Sequence, residues 1–133
     1  MFRFDPKRKF NNKKMETPDG TFDSKGEWER WLFLKEAQKN GQISDLRRQV
    51  KYTLIPTQYR TEIVHLKTKD KEVQRVAEHE ISYKADFVYE KNGETVVEDF
   101  KGFPNDRWPY VKKMMLFFHG IAIREVKKPT API

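Results

Sequence analysis

The sequence predicts a single α/β domain whose elements run helix, three strands, helix, strand around a mixed central sheet flanked by helices. Three observations predict it. Residues 24–41 carry the start and stop signals of a helix, residues 79–102 hold two alternating strands joined at Asn92-Gly93, and residues 94–126 read as strand, helix, strand. A chain of 133 residues supports one modest core and is too short for two.

The first helix lies in SKGEWERWLFLKEAQKNG. Ser24 is placed to N-cap it, Trp28, Trp31, Leu32 and Leu34 supply an apolar side, and Asn40-Gly41 ends it. Upstream, Pro18-Asp19-Gly20 marks a turn, so residues 10–23 form a small hairpin or an extended lead-in. Downstream, QVKYTLI alternates Val50, Tyr52 and Leu54 against Gln49, Lys51 and Thr53, the period of a half-buried strand.

Residues 57–75 are charge-rich and weakly periodic, compatible with a hairpin excursion, a mobile flap or a dimer contact. Asn92-Gly93 then marks a tight hairpin between the second and third strands. NDRWPYVKKMMLFFHG reads as a helix capped by Asn105 or Asp106 and stopped by Gly120, and IAIREV follows as a short strand. A strand, a crossover helix and a strand imply parallel pairing of the last two strands.

Composition narrows the function classes. At 14 % aromatic the chain is too rich in rings for disorder, and at 35 % charged it is too polar for a membrane protein. MFRFDPKRKF lacks the apolar stretch of a secretory signal, so the expected compartment is the cytoplasm. With no cysteine and three histidines (His65, His79, His119) without paired spacing, any bound metal is held by oxygen. Of the formal +7 charge, most comes from residues 1–14, where Arg3, Lys7, Arg8, Lys9, Lys13 and Lys14 oppose only Asp5. Such an arm before a nearly balanced domain of residues 15–133 suits a phosphate-rich partner such as DNA; a solubilising tail has the same composition.

VVEDFKG, residues 96–102, sets Glu98, Asp99 and Lys101 in a strand that otherwise favours Val and Phe. A symmetric hairpin about Asn92-Gly93 pairs Lys91 with Glu94, Tyr89 with Val96, Phe87 with Glu98, Asp86 with Asp99 and Lys84 with Lys101. Alternation then puts Asp86, Asp99 and Lys101 on one face, and Ile81, Tyr83, Ala85, Phe87, Tyr89, Val96 and Phe100 on the other. Two carboxylates opposed at about 5 Å repel by roughly 3 kcal/mol at an effective dielectric of about 20. Favourable cross-strand pairs are worth only about 0.2–1 kcal/mol, so this pair calls for a cation, a shared proton or solvent screening on an open face. Lys101 offsets part of the charge; Mg²⁺ or Mn²⁺ suits oxygen-only ligands at this density.

Glu27, three residues after Ser24, fits first a capping box, and this role can coexist with that of a third acid. Gln49 falls on the strand face opposite Val50 and Tyr52, where an amide can orient a water. Glu98 falls on the apolar face opposite Phe87, and is expected to reach a basic side chain or the sheet margin. Arg107, Lys112 and Lys113 on the second helix are placed to grip a nucleic-acid backbone or to form an ordinary solvated face.

A Glu on the first helix, an Asp opening a hairpin and Asp-x-Lys on the next strand resemble the PD-(D/E)XK nuclease superfamily, whose restriction-endonuclease-like core has the order αβββαβ. DGTFDSKGEWERWLFL, GQISDLRRQVKYTLI, YKADFVYEKNGETVVEDFKG and VKKMMLFFHGIAIREV look like successive blocks of a phage and prophage family of small nucleases. That family was long catalogued only as a domain of unknown function, and it is similar to archaeal-type Holliday junction resolvases. The resemblance spans about residues 11–126. It implies that Glu27, Asp86 and Asp99 bind Mg²⁺ or Mn²⁺, that Lys101 is the catalytic lysine and that Gln49 is accessory. It further implies structure-selective cleavage of branched DNA by a homodimer, in the host cytoplasm for a phage-encoded chain, without organic cofactor or membrane. The rivals are a single-strand or flap nuclease, a nickase, and a non-catalytic DNA-binding protein. Ala85 stands where the superfamily name has proline, and residues 57–75 match no block.

Overall fold

The computed structural model describes residues 14–101 and 105–133. Its elements are β1 (Met15–Thr17), β2 (Gly20–Phe22), α1 (Lys25–Lys39), β3 (Ser44–Ile55), β4 (Gln58–His65), β5 (Asp70–Glu78), β6 (Ile81–Lys91), β7 (Glu94–Phe100), α2 (Trp108–His119) and β8 (Arg124–Val126). The central sheet has the order β3-β6-β7-β8; its first three strands are antiparallel, and β8 lies parallel to β7. The expected mixed sheet with two helices is therefore present, with two hairpins added to it. β1 and β2 form one of these, over the Pro-Asp-Gly turn. β4 and β5 form the other, an exposed ribbon inserted between β3 and β6, so residues 57–75 belong to a hairpin excursion.

Local chemistry sets the ends of the elements. The Ser24 hydroxyl accepts the Glu27 N–H at 3.1 Å, and Asn40 N–H closes α1 on Glu36 O at 3.0 Å. Asn92 and Gly93 both take positive φ (52° and 79°), the conformation a two-residue hairpin demands. Asn105 Oδ1 accepts N–H groups from both Arg107 and Trp108 at 3.0 Å, and Gly120 ends α2 in the left-handed region at φ 67°.

Each sheet face carries its own core. Under α1 lie Phe22, Leu34, Phe87, Tyr89, Phe100 and Val126. Under α2 lie Leu54, Tyr83, Ala85, Val88, Val97 and Met115. Each fully buried large apolar side chain contributes about 1.5–3 kcal/mol. The single apolar face expected of the hairpin is thus corrected: Tyr83 and Ala85 pack under α2, whereas Phe87, Tyr89, Val96 and Phe100 pack under α1. Strict alternation would keep Ala85 and Phe87 together, so β6 changes phase between them, at Asp86. β3 changes phase on the same rung. Leu46 packs with the α1 core and Val50 with the α2 core, and between them Gln49 takes φ 55°, a left-handed value that turns a strand over.

The hairpin register holds from Lys91↔Glu94 through Phe87↔Glu98 and goes no further. Asp86 and Asp99 are therefore not a ladder pair, nor are Lys84 and Lys101. Lys84 pairs with Lys51 on β3, and Asp99 pairs with Glu125 on β8.

Glu98 reaches a basic side chain. Arg30, fully buried on α1, donates from Nε and Nη2 to the two Glu98 oxygens at 2.9 and 2.8 Å, and Tyr89 Oη donates to the same carboxylate at 2.5 Å. Arg30 Nη1 also donates to the carbonyls of Pro129 and Ala131, which ties the residues after β8 to the helix. Leu32, expected on the apolar side of α1, is 40 % exposed. Among the described residues no helix is long and apolar enough to cross a membrane.

Candidate functional site

The rung where β3 and β6 turn over faces the N-terminus of α1, and three of the residues singled out in the sequence meet there. Gln49 Nε2 donates to Glu27 Oε1 at 3.3 Å and to Asp86 Oδ1 at 3.4 Å, so one amide bridges a helix carboxylate and a strand carboxylate. The second oxygen of each acid is held by backbone. Glu27 Oε2 accepts the N–H of Asp23 at 3.1 Å, and Asp86 Oδ2 accepts that of Phe100 at 2.8 Å. The capping box is therefore displaced by one residue, because Glu27 bonds the N–H before the cap instead of the cap's own. Its outer oxygen stays on the cluster, and the capping and acidic roles coexist.

This side chain to Phe100 also explains the short ladder. Asp86 supplies an acceptor to β7 where a β6 carbonyl would otherwise stand, so the strands part and the carboxylate occupies the gap.

Burial and like charge govern the ionisation. Glu27 is 3 % exposed, and burial, followed by the charges of Asp86 and Asp23, pushes its carboxyl up to about 7; the Asp23 N–H and the Arg48 guanidinium pull the other way. Asp86 is also raised, first by burial, against hydrogen bonds from Phe100, Gln49 and Glu27.

Asp99 is 1 % exposed and accepts the Tyr83 hydroxyl at Oδ1, 3.0 Å away. Burial raises Tyr83 well above the usual phenol range, with the charges of Asp99 and Asp86 both adding to the shift. Both hairpin aspartates thus bear on one hydroxyl, Asp99 through a hydrogen bond and Asp86 through its charge, although the two are not a ladder pair. Lys101 follows β7 in a left-handed conformation (φ 72°) with an exposed side chain, its Nζ 6.0 Å from the Phe100 ring centroid. Among the described residues no three His, Asp or Glu side chains form a ready group for a metal.

Of the basic candidates, Arg107 is exposed at the start of α2, Lys112 lies 3.7 Å from Glu125, and Lys113 sits 6.0 Å from the Tyr110 ring centroid. Lys14 is exposed; Arg3, Lys7, Arg8, Lys9 and Lys13 lie outside the described residues. Sequence reasoning placed Tyr83 in the core as an apolar residue and gave no role to Arg48 or Asp23. Its hydroxyl was the one available signal for Tyr83, since a buried phenol takes a polar partner. Nothing in the local sequence marks the other two.

The profile of a family described as "Protein of unknown function (DUF1064)" matches residues 7–128, nearly the whole chain. No curated protein and no solved structure matches it.

Proposed function

The chain belongs to the DUF1064 family, and from the acids gathered at the α1 end of its sheet we propose that it is a Mg²⁺- or Mn²⁺-dependent endonuclease of the PD-(D/E)XK type. Its substrate on this reading is DNA, with branched structures preferred and a homodimer as the working form, since a four-way junction has two-fold symmetry. The order α1, β3, β6, β7, α2, β8 supports a restriction-endonuclease-like core.

The observation that carries the reading is the Glu27–Gln49–Asp86 cluster. Two carboxyls from distant parts of the chain share one amide where burial raises both, and the charge of Asp86 raises Glu27 further. Each acid has a backbone partner of its own, which does not require the two to meet on one amide, whereas a hard dication lets both ionise at neutral pH. The donor set therefore fits such an ion, with Glu27 and Asp86 holding it and Asp99 adjoining. When bound, the ion supplies a Lewis acid for a phosphoryl oxygen.

The chain's own groups do the rest. Gln49 fixes the two carboxylates relative to each other, the Phe100 N–H anchors Asp86, and Tyr83 orients Asp99. Lys101, at the exposed end of β7, offers an ammonium to the anionic transition state. Arg107 and Lys113 offer charge to the backbone, which confers affinity without sequence preference.

The test is cleavage of labelled junction, flap, single-stranded and duplex DNA by purified protein with Mn²⁺, with EDTA and with Asp86→Asn and Glu27→Gln. Metal-dependent cutting that both substitutions abolish supports the reading. No cutting of any substrate, or equal cutting by Asp86→Asn, overturns it.

A further inference from the structure

Beside the acids lies a cavity of about 210 Å³ between β6 and the start of α2. Among the described residues its lining includes the cations Lys84 and Arg107, the polar Ser82 and Asn105 and the aromatic Tyr83 and Trp108, with no carboxylate among them; the Trp108 indole N–H is held from outside the lining by Glu125 Oε1 at 2.6 Å. Neither cation is in an ion pair among the described residues. Tyr83 belongs to both places, because it lines the cavity and its hydroxyl donates to Asp99 at 3.0 Å. Acids that suit a cation and cations that suit an anion are thus separated by one side chain.

We propose that this cavity binds a single phosphodiester of a nucleic-acid strand, the neighbour of the phosphate presented to Glu27, Asp86 and Asp99. The proposal rests on the nuclease reading for the second half of that statement only; the anion site stands on its own lining. Small-molecule pockets begin at roughly 300 Å³, so this volume favours one backbone unit of a polymer over a free ligand of drug size. Arg107 and Lys84 pair with the phosphate oxygens, and the Trp108 and Tyr83 rings leave room for the attached sugar to pack. A strand held there is registered against the acids by backbone alone, which is the kind of contact that positions without reading sequence.

The experiment follows the Trp108 indole N–H by NMR while a thymidine tetranucleotide is added in Ca²⁺. It uses the wild type, the double variant Lys84→Gln/Arg107→Gln, and a charge-matched control, Lys127→Gln/Lys128→Gln. All four positions are exposed, so folding is retained. The expected result is a saturable shift whose midpoint rises at least tenfold in the double variant and less than twofold in the control. An unmoved indole, or equal midpoints in the wild type and the double variant, overturns the cavity. Cleavage of branched DNA with Mn²⁺ is measured alongside and separates the two ideas. A shift lost in the double variant, from a protein that cuts no DNA, keeps the anion site and removes the nuclease. Cutting that the double variant retains in full keeps the nuclease and removes the site.

Discussion

Glu98→Gln is the most exacting test of how the domain holds together. The substitution keeps the shape of the side chain and removes its charge, leaving the fully buried Arg30 guanidinium one amide oxygen and the carbonyls of Pro129 and Ala131 but no carboxylate, with an NH2 set against one of its own donors. Breaking one partner of a buried ion pair costs about 3–5 kcal/mol. Domain stabilities total about 5–15 kcal/mol, and at this chain length 1 kcal/mol moves Tm by about 3–5 °C, so the expected fall is about 10–20 °C. The double variant Arg30→Met/Glu98→Leu removes both charges. It takes away the acceptor of the Tyr89 hydroxyl, which donates to Glu98 at 2.5 Å and keeps only the long bond from Arg124 Nη1 at 3.5 Å, at a cost of about 1–3 kcal/mol. The double variant should therefore be no less stable than Glu98→Gln, and the cycle closed by the singles Arg30→Met and Glu98→Leu should return a coupling of about 3 kcal/mol. Urea unfolding with unchanged m-value is the assay. A Glu98→Gln cost below about 1 kcal/mol, or additive single effects, would refute the assignment of this pair as a buried clamp.

Three further outcomes are expected. Because the Glu27 carboxyl is raised to about 7 in the folded chain, the folded state binds more protons than the unfolded one between about pH 4.5 and 7. Metal-free stability should fall across that window and level off above it, while Mn²⁺ affinity should rise about tenfold per pH unit below 7 and flatten above; calorimetry of Glu27→Gln should show neither trend. Asp99→Asn keeps the Tyr83 hydrogen bond available and should abolish Mn²⁺-dependent nicking while leaving junction binding within a few-fold; full activity there would remove Asp99 from the site. Deleting residues 1–9 takes away Arg3, Lys7, Arg8 and Lys9, and should weaken DNA binding and lower the log–log salt slope by about 2–4; an unchanged slope would make the arm irrelevant to binding.

Much of the frame was legible in short stretches of chain. Ser24 and Asn40-Gly41 bound α1, Asn92-Gly93 set the hairpin register down to Phe87↔Glu98, and the helix after β7 returned the chain in parallel as β8. These features depend on capping, turn chemistry and side-chain period, which act over a few residues. The site was legible only as a set of residue types. Glu27, Gln49 and Asp86 could be named from the sequence, but the expected opposition of Asp86 and Asp99 was not what brought them into play.

By itself, the sequence determined where the two helices begin and end, which tight hairpin forms at Asn92-Gly93 and which acids lie near its open end. Tertiary structure alone decided that β3 and β6 turn over at Gln49 and Asp86, that Glu98 meets Arg30, and that Tyr83 stands between an acidic cluster and a basic cavity. The reason is that a glutamine at positive φ and an ion pair bridging 68 residues have no local signature. Both are settled by the packing of two helices against opposite faces of one sheet, where a strand must change sides to bury its apolar residues under each.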